Sequence, residues 1–457
     1  MKSSKFTSTP LFPRQALVAL LLPLIAEQAL SVTIGLADTL MVSSVGEAAV
    51  SGVSLVDSFN TLMIQIMSAL ATGGAVVTSQ YIGHQEPKNA KAAAAQILFV
   101  LSSFSVLVAA VVIGGRHAIL RGIFGSIDAD VMRYAETYFL LSALSYPFIG
   151  LYNAGAALFR AQGNSKISML SSLVMNVVNI GGNAVLIYGF GMGVMGAALA
   201  TVLSQVASAV LTLRCIVGSQ GMPWHIRTEK LRLHGDVFAA ICTIGVPAAA
   251  QSAMYNISNM FIQSSMNSFG TSTIAAWGVY GKIDFVFWMT INSLGIAITT
   301  FAGQNFGARQ YDRVRRGVRV CLAMAACTTL VISFTFYNLA EVLFRLFSQD
   351  DAVVAVGVGM MHVLTPVYIT YVCIEVLAGA LRGCGDVRVP TLITVFFVCG
   401  LRMLWLFIAV PIRHEVATVE MSYPITWSLA SALFILYYVK GGWMQRCAEK
   451  WEKKQAG

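Results

Sequence analysis

Residues 92–114, AAAAQILFVLSSFSVLVAAVVIG, run for 23 positions without one charged side chain. At 1.5 Å per residue a helix of about 20 residues crosses the hydrocarbon core of a bilayer. In water such a helix would have no polar face to present. Runs of the same kind recur on both sides of it. They predict twelve spans at 15–42, 51–81, 92–114, 131–156, 166–189, 193–214, 238–266, 273–303, 317–340, 352–380, 389–411 and 420–440. Strands of a membrane barrel need only about 10 residues, so helices fit and strands do not. The predicted fold class is an all-α polytopic membrane protein.

The composition agrees. Of 457 residues, 57% are hydrophobic and 11% are charged, and the mean hydropathy is +0.72. A soluble domain carries about 25% charge. A disordered chain is excluded and a soluble multidomain enzyme is disfavoured. The net charge is +9. With both termini placed in the cytoplasm, the inside segments hold 23 Lys and Arg and the outside loops hold five. That asymmetry orients the chain in a cell membrane, so the excess charge needs no nucleic-acid partner. No cleavable leader is expected, because the apolar run after residues 1–14 is too long for a signal core. The eight cysteines are scattered without CxxC or His–Cys metal spacing, so they read as packing residues with neither a disulfide framework nor a metal.

The sequence repeats itself. Gln80, Tyr81, Ile82, Gly83 answers to Gln304, Asn305, Phe306, Gly307 at a shift of 224, which Pro23/Pro247 and Gly46/Gly270 share. Arg160/Arg382 and Gly163/Gly385 keep a shift of 222. Each half thus holds six spans, giving lobes at 1–220 and 221–457 joined by a polar linker near 214–236. Six is even, so both halves enter the bilayer in the same direction. A pseudo-twofold axis along the membrane normal follows, with a cleft between the lobes where transporters place cargo and coupling ion.

Several of these pieces, in this order, resemble the multidrug and toxic compound extrusion (MATE) family over nearly the whole chain. They are Pro23 to Gln28 running into Ala37, Asp38, Thr39, Leu40, Met41, Val42; then Gln80 to Gly83; then Phe159, Arg160, Ala161, Gln162, Gly163, Asn164. Asn176 and Asn179 follow, then Tyr188 to Gly193, Gly303 to Ala308 and Leu381 to Asp386. The resemblance implies a cofactor-free antiporter, not an enzyme. Its partners would be small organic, often cationic, compounds exported against protons or sodium ions by rocking of two lobes. A monomer in contact with membrane lipids is expected. It also implies that Asp38 is the coupling residue, since it matches the aspartate of the family's first helix. In one branch an aspartate stands four residues after Asn179; here that position is Asn183. Another branch has acids where this chain has Tyr255 and Tyr371.

Charges inside spans cost about 2.5–3.5 kcal/mol each on insertion scales, so each needs a reason. They are Glu27, Asp38, Asp57, Lys282, Asp284, Glu375 and Arg402. Five acids against two bases predicts an acidic interior that attracts cations. Glu27, three turns before Asp38 and one turn after Pro23, is a candidate guard of the cytoplasmic side or a structural acid. Asn176, Asn179 and Asn183 share one helix face. Asparagine ligates a cation or bonds a carboxyl but does not titrate, which leaves the coupling in the first lobe to Asp38. Asn256, Asn259 and Gln263 form a matching face after Tyr255. Tyr255, these three amides, Asn176, Lys282, Asp284 and Trp288 are the expected cleft residues. Lys282 either faces Asp38 or Asp57 or snorkels to the interface. Glu375 and Arg402 are expected to form a buried pair, since either alone is costly. Arg160, Arg382 and the Gln–Gly pieces are read as caps or hinges. The basic run at 309–319 is read as a lipid headgroup contact.

Rival classes are disfavoured. A membrane enzyme would need a nucleophile, metal ligands or an aspartate-rich diphosphate motif, and an ATP-driven pump a GxxxxGK[ST] loop. A flippase or exporter of a lipid-linked or metabolite substrate would need a cationic cavity. A major-facilitator protein would carry arginine-rich loops after spans 2 and 8.

Overall fold

The computed structural model describes residues 14–125, 128–218 and 235–456. Among them every regular element is helical and none is a strand. The first half comprises α1 (Arg14–Val42), α2 (Glu47–Gly83), α3 (Pro87–Phe124), α4 (Ala129–Ala161), α5 (Ser165–Gly189) and α6 (Gly193–Gly218). The second comprises α7 (Gly235–Asn267), α8 (Thr271–Gly307), α9 (Tyr311–Asn338), α10 (Asp351–Gly383), α11 (Arg388–Ile412) and α12 (Val416–Lys440). A further helix, α13 (Trp443–Ala456), follows beyond the last predicted span. A short helix, Ala340–Arg345, joins α9 to α10. Most of the 214–236 linker lies outside the described residues.

The helices outrun the apolar stretches that announce them. Both α2 and α8 reach 37 residues, because backbone hydrogen bonding continues through polar ends that hydropathy does not register. Eleven of the twelve are long and apolar enough to cross a membrane. The exception, α4, has 33 residues but spends buried positions on Tyr138, Tyr146 and Tyr152. On the outside, apolar side chains lie bare, with Val331 66% and Phe334 72% exposed. That is a surface made for lipid, not water.

Each half crosses six times, so the ends of α2, α4, α6, α8, α10 and α12 share a face with the starts of α1 and α7. We call it the termini face. Within the halves α2 packs on α3 and α4, α5 on α1 and α6, α8 on α9 and α10, and α10 on α12. Between the halves α2 lies along α7 and α8. Small residues permit the approach: a Cβ on Gly73 would sit 2.7 Å from the Gly245 nitrogen.

The prolines fall at matching places, Pro23 inside α1 and Pro247 inside α7. A π-helical turn ends α5 at Ala184–Gly189, and another lies within α11 at Thr394–Gly400. Such turns re-aim side chains and gather at functional positions.

Candidate functional site

The first half holds a polar network close to the far end of α1. Asp38 is 6% exposed and turns into the bundle. Asn183 Nδ2 donates to its Oδ1. Asn179 and Thr201 also hydrogen-bond toward this carboxyl. Asn183 Nδ2 further reaches Asn179 Oδ1 at 3.3 Å, and Asn179 Nδ2 reaches Thr201 Oγ1 at 3.3 Å. The three asparagines are buried together because they share one face of α5. Asn183 sits at the junction with the π turn, and its Oδ1 has no partner. Tyr138 and Asn60 bond Asp57, and Tyr146 Oη donates to Asn60 at 2.7 Å. The α4 tyrosines that lowered its hydropathy thus serve polar groups.

Glu27 is engaged elsewhere. Arg160 Nη1 lies 2.9 Å from its Oε1, Tyr152 Oη donates at 3.1 Å, and Ser168 Oγ donates to Oε2 at 2.8 Å. Arg160 is therefore not merely a turn residue. It folds back from the end of α4 into the half, a reach that its long side chain allows.

Between the halves lie two adjoining cavities of about 390 and 680 Å³. They share Gln65, Glu375 and Arg382 in their walls. Tyr255, Asn256, Asn259, Gln263, Asp284 and Trp288 line the larger one. Asn256 Nδ2 donates across the cleft to Gln65 Oε1 at 2.6 Å. Asp284 receives Tyr368 Oη at 2.5 Å and Trp288 Nε1 at 2.6 Å. Tyr255 and Tyr371 meet at 3.2 Å, and Tyr371 Oη donates to Glu375 Oε2 at 3.4 Å.

Four expectations are corrected. Glu375 and Arg402 are not paired: Glu375 takes its bond from Tyr371, while the Arg402 guanidinium lies 4.3 Å from the ring centroid of Tyr423. Hydropathy finds a helix but not its rotation, and rotation decides the partner. Lys282 is absent from the cavity walls; its Nζ lies 5.7 Å from the Phe347 ring, so it snorkels past the last turn before α10. Asn176 faces neither cavity, its Nδ2 bonding the Ser172 carbonyl at 2.9 Å. The cavity is also not acidic. The charged groups in the larger wall are Asp284, Glu375, Arg382 and Arg402, two of each sign, because Asp38 and Asp57 sit within the first half and Arg382 reaches in.

At the termini face the repeat closes on itself. Gln80 Nε2 donates to the Gly383 carbonyl at 2.9 Å, and Gln304 Nε2 donates to the Ala161 carbonyl at 2.6 Å. These are the same bond twice, shifted by 224 on one side and 222 on the other. A Cβ on Gly83 would meet the Gln304 carbonyl oxygen at 1.9 Å, and one on Gly307 the Gln80 oxygen at 2.0 Å. The reading of these pieces as caps missed this contact, although their duplication was the signal for it. Over the seam lies α13: the Trp451 ring is 5.4 Å from Tyr81 and 6.4 Å from Phe306.

A family profile described as MatE matches residues 23–185 and 247–408, one match in each half. A probable multidrug resistance protein, YoeA of Bacillus subtilis, is 26% identical over 405 residues, covering 85% of this chain and 86% of that protein. A probable multidrug resistance protein NorM of Thermotoga maritima is 22% identical over 443 residues, covering 95% and 94%. Among solved structures, an outward-facing multidrug resistance MATE family transporter of the MOP superfamily superposes with a TM-score of 0.88 at 18% identity, covering 97% of each chain. A MOP superfamily transporter from Pyrococcus furiosus, described as having a binding pocket of reversed polarity, also gives 0.88 at 18% identity, covering 96% of each.

Proposed function

The chain belongs to the MatE family, and on that premise we propose that it is a secondary antiporter exporting organic, drug-like compounds in exchange for protons or sodium ions. The relatives' description as multidrug resistance proteins supports the cargo class. The observation that carries the coupling is Asp38, buried and bonded by Asn183 beside a partnerless Asn183 oxygen. A carboxylate with amide and hydroxyl oxygens around it suits either a proton or Na⁺. The lobes at 1–220 and 221–457 rock about the cavities, so that each membrane face gains access in turn. With the termini face in the cytoplasm of a cell-membrane monomer, the state described here is closed to the inside. The arginines at 309, 313, 315 and 316, which line a hollow beside α13, contact anionic lipid headgroups. A flippase of lipid-linked precursors is not favoured, since the cavity walls balance in charge.

The test is uptake of a cationic dye into proteoliposomes under an imposed proton or sodium gradient. One gradient is expected to drive it, and Asp38→Asn is expected to remove that drive while leaving dye binding in place. If neither gradient moves any dye and Asp38→Asn behaves as the parent does, the antiport reading fails.

A further inference from the structure

In the larger cavity, Arg402 is 2% exposed and its Nε and Nη2 have no hydrogen-bond partner. Those two nitrogens form one edge of the guanidinium, the edge that grips a carboxylate through two parallel bonds. The face of the group is taken, lying 4.3 Å from the Tyr423 centroid and 5.9 Å from that of Trp427. Trp427 Nε1 is a third buried donor without an acceptor. All three orphans are donors, and all belong to residues of the cavity wall. Buried donors are nearly always satisfied, and leaving a charged one unmet costs more than any neutral group. The π turn Thr394–Gly400 directly precedes Leu401 and Arg402 and sets the helix rotation that points the side chain here. The carboxylates that share this wall are engaged elsewhere: Asp284 is covered by Tyr368 and Trp288, and Glu375 by Tyr371.

We propose that Arg402, with Trp427 beside it, is the carboxylate-binding site of the cavity, and that the cargo is an aromatic compound carrying a free carboxylate. The inference rests on the transport reading above and narrows it. The ring wall of Tyr371, Tyr423, Trp427 and Trp288, with neighbouring centroids 4.8–5.1 Å apart, stacks the aromatic body. Arg402 then separates acids from their esters, because an ester cannot take the same pair of charge-assisted bonds.

Rhodamine 110 and rhodamine 123 differ only in this respect, the second being the methyl ester of the first. Their dissociation constants are measured by fluorescence anisotropy on the full chain in detergent. The parent protein is expected to bind the free acid about tenfold more tightly than the ester. Arg402→Gln should weaken rhodamine 110 by about tenfold or more and leave rhodamine 123 within about twofold. Arg402→Lys, which keeps the charge and loses the fork, should fall between. If Arg402→Gln does not fold, Trp427→Phe removes the third donor while keeping a smaller ring in the stacking wall, and should weaken rhodamine 110 more than rhodamine 123. A parent protein that prefers neither dye, or binds neither, overturns the proposal, as does an equal loss for both dyes in the variants. No gradient enters these measurements. Loss of coupled transport with the acid preference intact would overturn antiport alone, and transport without the preference would overturn this site alone.

Discussion

Glu27 and Asp38 stand on one helix, three turns apart, and their surroundings assign them different work. Glu27 receives Arg160, Tyr152 and Ser168 within 3.1 Å, and its side chain and that of Arg160 are 7% and 12% exposed. Three donors from α4 and α5 converge on it, which suits a group that holds α1, α4 and α5 together. Asp38 is held by amides and a hydroxyl and has no cationic partner among the described residues, the setting that the proposed coupling role requires. Removing one member of a buried pair strands the other and costs about 3–5 kcal/mol, whereas removing both is often near neutral. Glu27→Leu is therefore expected to lower the unfolding midpoint in detergent sharply. Glu27→Leu with Arg160→Leu should recover most of the loss. An unaltered midpoint in the single variant would mean that Arg160 finds another partner and that Glu27 is not structural.

At the scale of elements, α13 adds a further contact across a seam that the halves already close. Its residues Trp443, Met444, Cys447 and Trp451 are buried, spaced as one face of a helix. Trp451 touches α2 through Tyr81 and its cap residue His84 and touches α8 through Phe306, so the helix belongs to the chain of one half while gripping both. Cys447 is a reporter built into it. Burial first, and the Asp386 carboxylate second, push its thiol up to about 12. At pH 8 almost none of it is thiolate, and alkylation should be slow. Trp451→Ala, which removes the contact across the seam, is expected to speed labelling of Cys447 about tenfold or more, read by mass spectrometry of its peptide. Labelling that is already fast in the parent, or unchanged in the variant, would mean that α13 does not rest on the bundle in solution. The spacing of those four residues was present in the sequence, but the charges among them keep the segment from registering as an apolar run. The twelve long helices were legible because lipid demands uninterrupted apolar runs. Helix rotation was not, since a side chain inside a bundle meets lipid, cavity or another helix with little change in hydropathy. Lys282 and Asn176, expected in the cleft, were misplaced for that reason. So was the Arg402 guanidinium, which the reading set against Glu375 and the fold sets against Tyr423.

Over the whole molecule the frame is duplicated and the chemistry is not. Carried across by 222 to 224 residues, Glu27 falls on Gln251, Asp38 on Ile262, Glu375 on Asn153 and Arg402 on Ile180. These four ionisable groups are thus private to one half each, while Arg160/Arg382 and, at the termini face, Gln80/Gln304 and Gly83/Gly307 are shared. The proposed antiporter, opening and closing symmetrically around an asymmetric cargo site, needs this division. It also makes the closed seam testable from both sides. An alanine at Gly83 would drive its Cβ to 1.9 Å from the Gln304 carbonyl oxygen, and one at Gly307 to 2.0 Å from that of Gln80. The atoms in the way are backbone, which cannot swing aside as a flexible side chain would. Overpacking of this kind costs about 1–3 kcal/mol. The penalty applies only while the ends of α2 and α8 are in contact, so it destabilises the closed seam relative to a state in which they part. Each 1.4 kcal/mol is about tenfold in that equilibrium. The readout is a single cysteine at position 300, where buried Thr300 lines the smaller cavity near the seam, in a background with the eight native cysteines replaced. In Gly83→Ala, and to a similar degree in Gly307→Ala, a membrane-impermeant maleimide added at the termini face should label Thr300→Cys about tenfold faster than in the parent. Because the two contacts are images of each other, the double variant should open little further once the seam has parted. Faster labelling in only one of the two glycine variants would show that the reciprocal bonds do not act as one latch, and no change in either would show that the seam is not what holds this end shut.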